Sequence, residues 1–404
     1  MVDFKHELID GRPPCAKLGF CLTADLTGNG RKDVIVGGYG DSFPGKDVIW
    51  QAERLGVPTG LLRSAVGLTE SNLFWYENPG FERHEISFTP ALDVGAAVGD
   101  LTGDGRPNIV AGQGINNNGV YWFEPDGDPR NAWTRHLITD RFEKYHDLLV
   151  TDVDDDGDPE LVGLSQESET VFYYDVPSSP QESPWSDEHL HVVDEGRELE
   201  GAAVTDIDND GRSELIAGPN VYHRDPDAAT GWRRETIVSG WDNTRVAIAD
   251  VDGDGDPEVI LSEGDSPHLG THPGRVAWFD PPDWEQTVLK DDLFCPHTLE
   301  VGDFTGDGRP DLYVAEMGLG KHDEPRHFLF MNRGDGEFEE QTVSTGIETH
   351  EAKAVDLTGD GRPDIAGKSY SPDHHVDIWY NGAGTDTQGV TADAATDGGD
   401  HRER

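Results

Sequence analysis

Nine residues, Asp250-Val-Asp-Gly-Asp-Gly-Asp-Pro-Glu258, place oxygen side chains at positions 1, 3, 5 and 9 around a glycine at position 6. A hard cation takes six to eight oxygens, and a short loop with this spacing delivers several of them from one segment. Two further copies carry the full set: Asp152, Asp154, Asp156 and Glu160, then Asp206, Asp208, Asp210 and Glu214. With Asp250, Asp252, Asp254 and Glu258 they form the first rank of calcium ligands, in a structural role. Four more copies start at Asp25, Asp100, Asp303 and Asp356 but have Thr27, Thr102, Thr305 or Thr358 at position 3. Their remaining acids, Asp104, Asp307, Asp311, Asp360 and Asp364, form a second rank with one charge fewer per loop. A plain turn, in which the side chains bond only nearby backbone, is the competing reading.

A different chemistry stands six residues before each loop. Those positions hold Gly19, Val94, His146, Glu200, Thr244, His297 and His350, followed by Asp147, Arg245, Glu351 and Lys353 in some copies. Glu316 and Lys368 end the segment that leaves the loop in two copies, and Trp241 lies just ahead of Thr244. A structural repeat requires none of these side chains. His297 and His350, with Lys353 and Glu316, suit proton abstraction next to a carbonyl, where a base and a stabilising cation are both needed. His146, Glu200, Arg245, Glu351, Lys368 and Trp241 suit contacts to a substrate. A single His at such a position is usually just hydrogen-bonded, but three at equivalent positions strengthen the functional reading. Imidazole with carboxylate also suits a transition ion such as Zn2+, although spread over a ring of blades weighs against one ion reaching them.

The elements that carry these residues recur with the loops. Small apolar runs such as Val246-Ala-Ile-Ala lead into each loop, and β-branched runs such as Glu258-Val-Ile-Leu leave it. An aromatic phrase follows (Phe74-Trp-Tyr-Glu, Val120-Tyr-Trp-Phe, Val276-Ala-Trp-Phe), then a Trp/Phe-x-x-His/Thr phrase (Phe81-Glu-Arg-His, Trp133-Thr-Arg-His). Each phrase has strand composition and alternation. Four strands repeated seven times predict an all-β, seven-bladed β-propeller over residues 1–381. The chain opens on a fourth-strand phrase, Phe4 to Ile9, and the last repeat lacks one, so the N-terminal strand is expected to close the seventh blade. Residues 40–71 form an insertion in the first blade, read as a functional loop or surface decoration. Residues 382–404 read as a disordered acidic tail. His6, His84 and His136 fall in the outer-strand phrase and His374 and His375 in a loop, so all five are set aside. Because the acidic loops all join first to second strands, they share one face, and the varied residues share the other, open face at the axial channel.

A formal net charge of −49, from 80 acidic and 31 basic residues, disfavours nucleic acid and anionic membrane as partners. Such charge is tolerated where salt screens repulsion over a few ångströms, which points to a salt-adapted organism. Three cysteines make no disulfide framework. No signal peptide or apolar span is legible, and the expected location is the cytoplasm.

The Asp-x-Asp/Thr-Gly-Asp-Gly-Arg-x-Asp loops resemble the FG-GAP/VCBS repeats of integrin-type β-propellers, over about 380 residues. That resemblance implies the propeller and calcium, but no activity. A narrower one is carried by Thr349-His-Glu-Ala-Lys-Ala-Val-Asp, Asp364-Ile-Ala-Gly-Lys-Ser-Tyr, Cys295-Pro-His-Thr-Leu-Glu-Val-Gly-Asp and Val314-Ala-Glu-Met. These phrases look like the propeller domain of aldos-2-ulose dehydratase-like proteins. The resemblance implies water elimination from oxidised sugars, with His297, Glu316, His350, Glu351, Lys353 and Lys368 at the sugar site. The cupin domains linked to the fungal enzyme's isomerase step have no match in this sequence. A sugar lyase acting on a small sugar or keto sugar is therefore the leading expectation. The alternative is a non-catalytic propeller gripping a carbohydrate or a protein partner, and convergence of the open-face side chains on one point separates the two. Oligomeric state is not legible.

Overall fold

A computed structural model describes residues 1–15, 17–40 and 71–382. Most of the 40–71 insertion and nearly all of the 382–404 tail lie outside these residues. The described residues form seven four-stranded antiparallel sheets, and the chain is the expected seven-bladed β-propeller.

Blade 3 shows why the sequence folds this way. Its strands are β10 (Tyr145–Thr151), β11 (Glu160–Ser165), β12 (Thr170–Asp175) and β13 (Leu190–Glu195), hydrogen-bonded in that order. Every residue of β11 is buried, because blades stack on both faces of the middle strands and an unbroken apolar run is needed there. The side chains between neighbouring blades gather into separate hydrophobic clusters rather than one central core. The axial channel wall mixes small apolar residues with charged ones such as Asp147, Arg245 and Lys353.

In blades 1, 2, 3 and 7 a fourth-strand histidine clasps the blade to its own third strand. His84 reaches Glu77 at 3.0 Å and His136 reaches Glu124 at 2.9 Å, while their rings lie against Trp75 and Trp122. His6 does the same in blade 7, reaching Asp377 at 2.7 Å beside Trp379. These histidines are structural, as their repetition indicated. Blade 7 is completed by β1 (Phe4–Asp10), which pairs antiparallel with β28 (Val376–Asn381), Phe4 opposite Asn381. The closure removes a free sheet edge.

The innermost strands run in parallel around the axis, each from the open face to its acidic loop. Close contact there selects small residues. A Cβ on Gly19 would sit 2.1 Å from the Asp93 carbonyl oxygen, so blade 1 admits no side chain where blades 3, 6 and 7 present histidine. At position 6 of the loops, Gly255 has φ of +100°, a conformation only glycine adopts without strain.

Candidate functional site

Three histidines and one glutamate converge at the open-face end of the channel. His146 belongs to β10, Glu200 precedes β14 (Ala202–Thr205), His297 precedes β22 (Thr298–Gly302) and His350 precedes β26 (Glu351–Val355). All four are buried. The rings of His297 and His350 stack with centroids 4.0 Å apart, and His350 stacks in turn on Tyr370 at 4.2 Å. One ligand-type atom each from His146, Glu200 and His297 lies within 4.8 Å of the others, so the ring of blades does not hold these three apart. The channel is narrow enough for blades 3, 4 and 6 to meet across it.

The partner of each Nδ1 sets the imidazole tautomer. His146 Nδ1 lies 2.7 Å from Asp147 Oδ2, and a carboxylate only accepts, so Nδ1 carries the proton. His297 Nδ1 lies 2.9 Å from the carbonyl oxygen of His350 and must also donate. Both therefore present Nε2 to the channel. His350 is the reverse. Lys368 Nζ, 2.5 Å from its Nδ1, also donates to the carbonyls of Leu18 and Gly19 at 3.1 and 2.6 Å. Three acceptors match the three donors of an ammonium group, which leaves His350 with its proton on Nε2. With Lys368 as an ammonium, His350 presents an Nε2–H donor to the channel rather than the base expected from its sequence position.

Burial pushes the pKa of His297 and His350 well below the ordinary histidine value, and neighbouring cations add to the effect, so both rings are neutral. For His146 burial acts in the same direction, but Glu200 and Asp147 override it and the net shift is upward. Burial pushes Glu200 up to about 7, and it brings Lys368 down to about 7. Glu200 Oε1 accepts a short hydrogen bond from Gln166, while Oε2 has no hydrogen-bond partner.

Around this cluster stand residues that sequence reasoning missed. Lys17 lies over the rings of Tyr370 and Tyr39, 4.2 and 4.8 Å from their centroids, and 3.8 Å from Asp93. Asp265, in the loop after β19 (Glu258–Glu263), has its carboxyl raised by burial despite the nearby His146, His268, Lys144 and Arg245. Tyr370 had a signal, since it ends the phrase Asp364-Ile-Ala-Gly-Lys-Ser-Tyr. Asp265 and Lys17 had none, because loops and strand starts are brought together only by ring closure.

Other sequence candidates lie elsewhere. Arg245, Glu351 and Lys353 sit deeper, lining a cavity of about 460 Å³ with Asp147, Glu300 and the end of the His146 site. There Lys353 bridges Glu300 and Glu351 at 3.1 and 3.3 Å, and Arg245 reaches Asp147 at 3.3 Å. Burial opposes the charge on Lys353, but Glu300 and Glu351 more than offset it and raise its pKa, so Lys353 is a fixed cation rather than a base. Glu316 is wholly buried away from the histidines. It accepts from Arg326 at 2.7 Å and from the backbone amides of Phe294 and Arg326, as Glu263 does from Arg275 in the neighbouring blade. It is a blade clasp. Trp241 is buried against Phe279 with Arg275 over its ring at 4.4 Å, and it lines a second cavity of about 370 Å³ together with Glu200 and Thr244.

On the opposite face the loops fall into two classes. In loops starting at Asp152, Asp206 and Asp250, ligand-type oxygens gather within 4.8 Å. Asp152 Oδ1, Asp154 Oδ1 and Glu258 Oε1 are buried there without hydrogen-bond partners. Burial, reinforced by the neighbouring acids, pushes Glu160, Glu214 and Glu258 up to about 7. In the threonine loops ending at Asp33, Asp311 and Asp364, both oxygens of the last Asp accept backbone amides. Asp364 takes Leu357 N–H at 3.0 Å and Asn381 N–H at 2.8 Å, and Asn381 donates onward to the Phe304 carbonyl of blade 6 at 2.8 Å. Asn78 and Asn332 repeat this arrangement with Asp33 and Asp311.

The chain carries FG-GAP-like repeats: the family model of that description matches residues 100–163 and 303–367. It is similar to cartilage acidic protein 1 of Mus musculus, 28% identical over 146 residues, which cover 30% of this chain. The match spans only 22% of that relative's length. Among solved structures, an ancestral GH74 enzyme aligns with a TM-score of 0.53 at 10% identity, over 92% of this chain and 48% of the other. That likeness concerns the fold alone. No helix among the described residues is long and apolar enough to cross a membrane.

Proposed function

We propose that the open-face end of the channel binds a small polyhydroxylated carbonyl compound, a sugar or keto sugar, and eliminates water from it. The observation that carries this reading is the convergence of His146, His297, His350 and Glu200 at one buried point, beneath a rim bearing Lys17, Tyr39 and Tyr370. Scattered side chains would have favoured a binding or scaffold propeller. The resemblance of residues 349–356 and 364–370 to aldos-2-ulose dehydratase-like proteins supports the same chemistry.

Elimination needs an acceptor for the α-proton and an electrophile for the carbonyl oxygen. Asp265 is the acceptor, a carboxylate whose pKa burial brings up from the ordinary range. The α C–H bond breaks to give an enolate. His350 Nε2–H and the cationic Lys17 stabilise it. Collapse of the enolate expels the β-hydroxyl, which takes a proton from Lys17 or Tyr370, leaving an α,β-unsaturated ketone and water. The test follows enone absorbance with 2-keto sugars in concentrated salt. Asp265→Asn and Lys17→Met are expected to lose at least about 100-fold in kcat/KM, the usual scale for an acid–base group. Unchanged turnover in both variants overturns the reading. Sugars that raise Tm with no turnover identify a binding module instead.

We further infer that the loops starting at Asp152, Asp206 and Asp250 hold calcium in a structural role. Unpartnered buried oxygens in the Asp152 and Asp250 loops, and the gathered carboxylates of all three, fit a hard cation. The ion would neutralise the acids of the turn between first and second strands. In the threonine loops, backbone amides already occupy the last acid.

A further inference from the structure

In blade 4 the clasp between third and fourth strands is reversed. Blades 1, 2, 3 and 7 set a fourth-strand histidine against a third-strand acid, at 2.7 to 3.1 Å. In blade 4 the third strand, β16 (Asn220–Arg224), supplies His223, and Glu235 comes from the fourth, β17 (Trp232–Thr236). The exchange brings an imidazole up to an acidic loop. In blade 3, Asp175 pairs with Glu160, the last acid of its loop. One step beyond the Leu215–Tyr222 and Val259–Phe279 pairs, the corresponding residues are His223 beside Glu214 in blade 4 and Asp280 beside Glu258 in blade 5. His223 Nδ1 lies 3.6 Å from Glu214 Oε1, and one ligand-type atom each from His223, Glu214 and Asp208 lies within 4.8 Å of the others. Glu214 is 3% exposed; its Oε2 accepts the Ile207 amide at 3.1 Å, whereas no donor among the described residues stands at hydrogen-bond distance from Oε1. An acceptor buried without a partner is destabilising, so this corner of the loop calls for a positive charge.

We propose that the blade 4 loop, through His223, Glu214 and Asp208, takes a divalent first-row transition ion in preference to calcium, with Zn2+ as its first candidate. The proposal rests on reading these loops as cation sites and changes the ion at one of them. Calcium is hard and takes oxygen, so an imidazole adds little for it, whereas zinc and its neighbours in the series bind imidazole together with carboxylate. Among the described residues, no other acidic loop gathers a histidine with its carboxylates within the same distance. The back of the ring has the form that a ligating histidine needs. Such imidazoles usually direct their other N–H at a carboxylate, which fixes the tautomer and the ring angle. His223 Nε2 is buried without a hydrogen bond and faces Glu235 Oε2 at 3.4 Å, and the other oxygen of Glu235 is held by Trp284 Nε1–H at 2.7 Å. A proton drawn to Glu235 leaves Nδ1 bare on the side of the loop. With no transition ion present, calcium fills this loop as it fills those of blades 3 and 5. In the competing reading His223 serves only the reversed clasp.

The test counts metals. Full-length protein is stripped with chelator, loaded with just saturating Ca2+ and dialysed against rising Zn2+, and both metals are measured per chain by elemental analysis. Calcium should start at about three per chain and fall to about two, since only the blade 4 loop gives up its ion. Zinc held by histidines elsewhere displaces no calcium, so the loss reports this loop alone. His223→Asp, which installs the residue of blades 3 and 5, should hold its calcium against the same zinc concentration. Glu235→Gln, a positioning change, should raise the zinc needed about 10- to 100-fold; a histidine serving only the clasp would leave that midpoint unmoved. Circular dichroism checks that each variant folds. No calcium released from the wild type, or equal release from folded His223→Asp, overturns the inference. If calcium binds nowhere, yet one zinc is held by the wild type and lost in His223→Asp, the calcium reading of the loops falls and this assignment stands. Without calcium and without such a zinc, both fall.

Discussion

Lys368 Nζ and His350 Nδ1 lie 2.5 Å apart inside blade 7, with no part of the lysine exposed. As an ammonium, Lys368 gives His350 its tautomer, and it adds to the effects of burial and Arg245 in keeping His297, stacked upon that ring, neutral. Burial brings Lys368 down to about 7 from the ordinary lysine value of 10.5. Between those values the unfolded chain binds more protons than the folded one, so this residue makes stability rise with pH across that window. Lys368→Met should flatten the slope of ΔG against pH between 7 and 10, measured by urea unfolding. It should also cost about 1–3 kcal/mol at neutral pH, because the Leu18 and Gly19 carbonyls lose their donor. An unchanged slope would mean that Lys368 titrates as it does in water.

Calcium should bind in three places, not seven. Titration calorimetry in concentrated NaCl is expected to give a stoichiometry of about three, falling to about two in Glu258→Gln. With free calcium at 100 times Kd, each site adds about 2.7 kcal/mol.

The same loops predict a pH effect of opposite sign. Glu160, Glu214 and Glu258 are pushed up to about 7 from 4.5. In that interval the folded chain holds more protons than the unfolded one, so without metal these groups make stability fall as pH rises from about 4.5 to 7. Calcium should remove the decline. Thermal scans in chelator and in Ca2+ should diverge as pH rises through this range, with a larger gap at pH 8 than at pH 5.

Glu316→Gln should separate folding from chemistry. It weakens the Arg326 pair and the amide bonds of the blade 6 clasp, an effect of about 1.5–3 kcal/mol by denaturant unfolding. Keto-sugar turnover should stay within about twofold. A collapse of kcat with a fully folded ring would return Glu316 to the catalytic set.

Asn381→Ala tests the inter-blade ties of the threonine loops. It removes the donor to the buried Phe304 carbonyl and should cost about 1–3 kcal/mol, with no change in calcium stoichiometry.

The propeller was legible because its signals are local and repeated: loop, aromatic phrase and outer histidine phrase each recur with the blade. The open-face positions were legible for a related reason. Counting back from Asp152, Asp303 and Asp356 lands on His146, His297 and His350 whatever the rest of the blade does. What the count could not supply was distance across the channel, and so the meeting of His146, Glu200 and His297 was obscured. Nor could it supply direction. Glu316 looks equivalent to a channel residue until Arg326 is seen beside it, and Lys353 differs from Lys368 only through the acids that each faces. Roles depended on partners from other blades, such as Asp147 for Arg245 or the Gly19 carbonyl for Lys368, and these come from ring closure rather than from any short stretch of sequence.

The closing strand has a practical consequence. Phe4 stands opposite Asn381, and the Gly382 amide donates to the Asp3 carbonyl at 2.7 Å, so the two ends of the described ring are neighbours. Strand direction alternates from the inside of blade 7 outward, which brings both ends to the side of the acidic loops. Labels or tethers attached through either end would leave the ring together, with its opposite mouth facing free solution. A short linker joining Asp3 to Gly382, with new termini cut between the third and fourth strands of another blade, would shift the seam to that sheet and leave the channel residues on their strands.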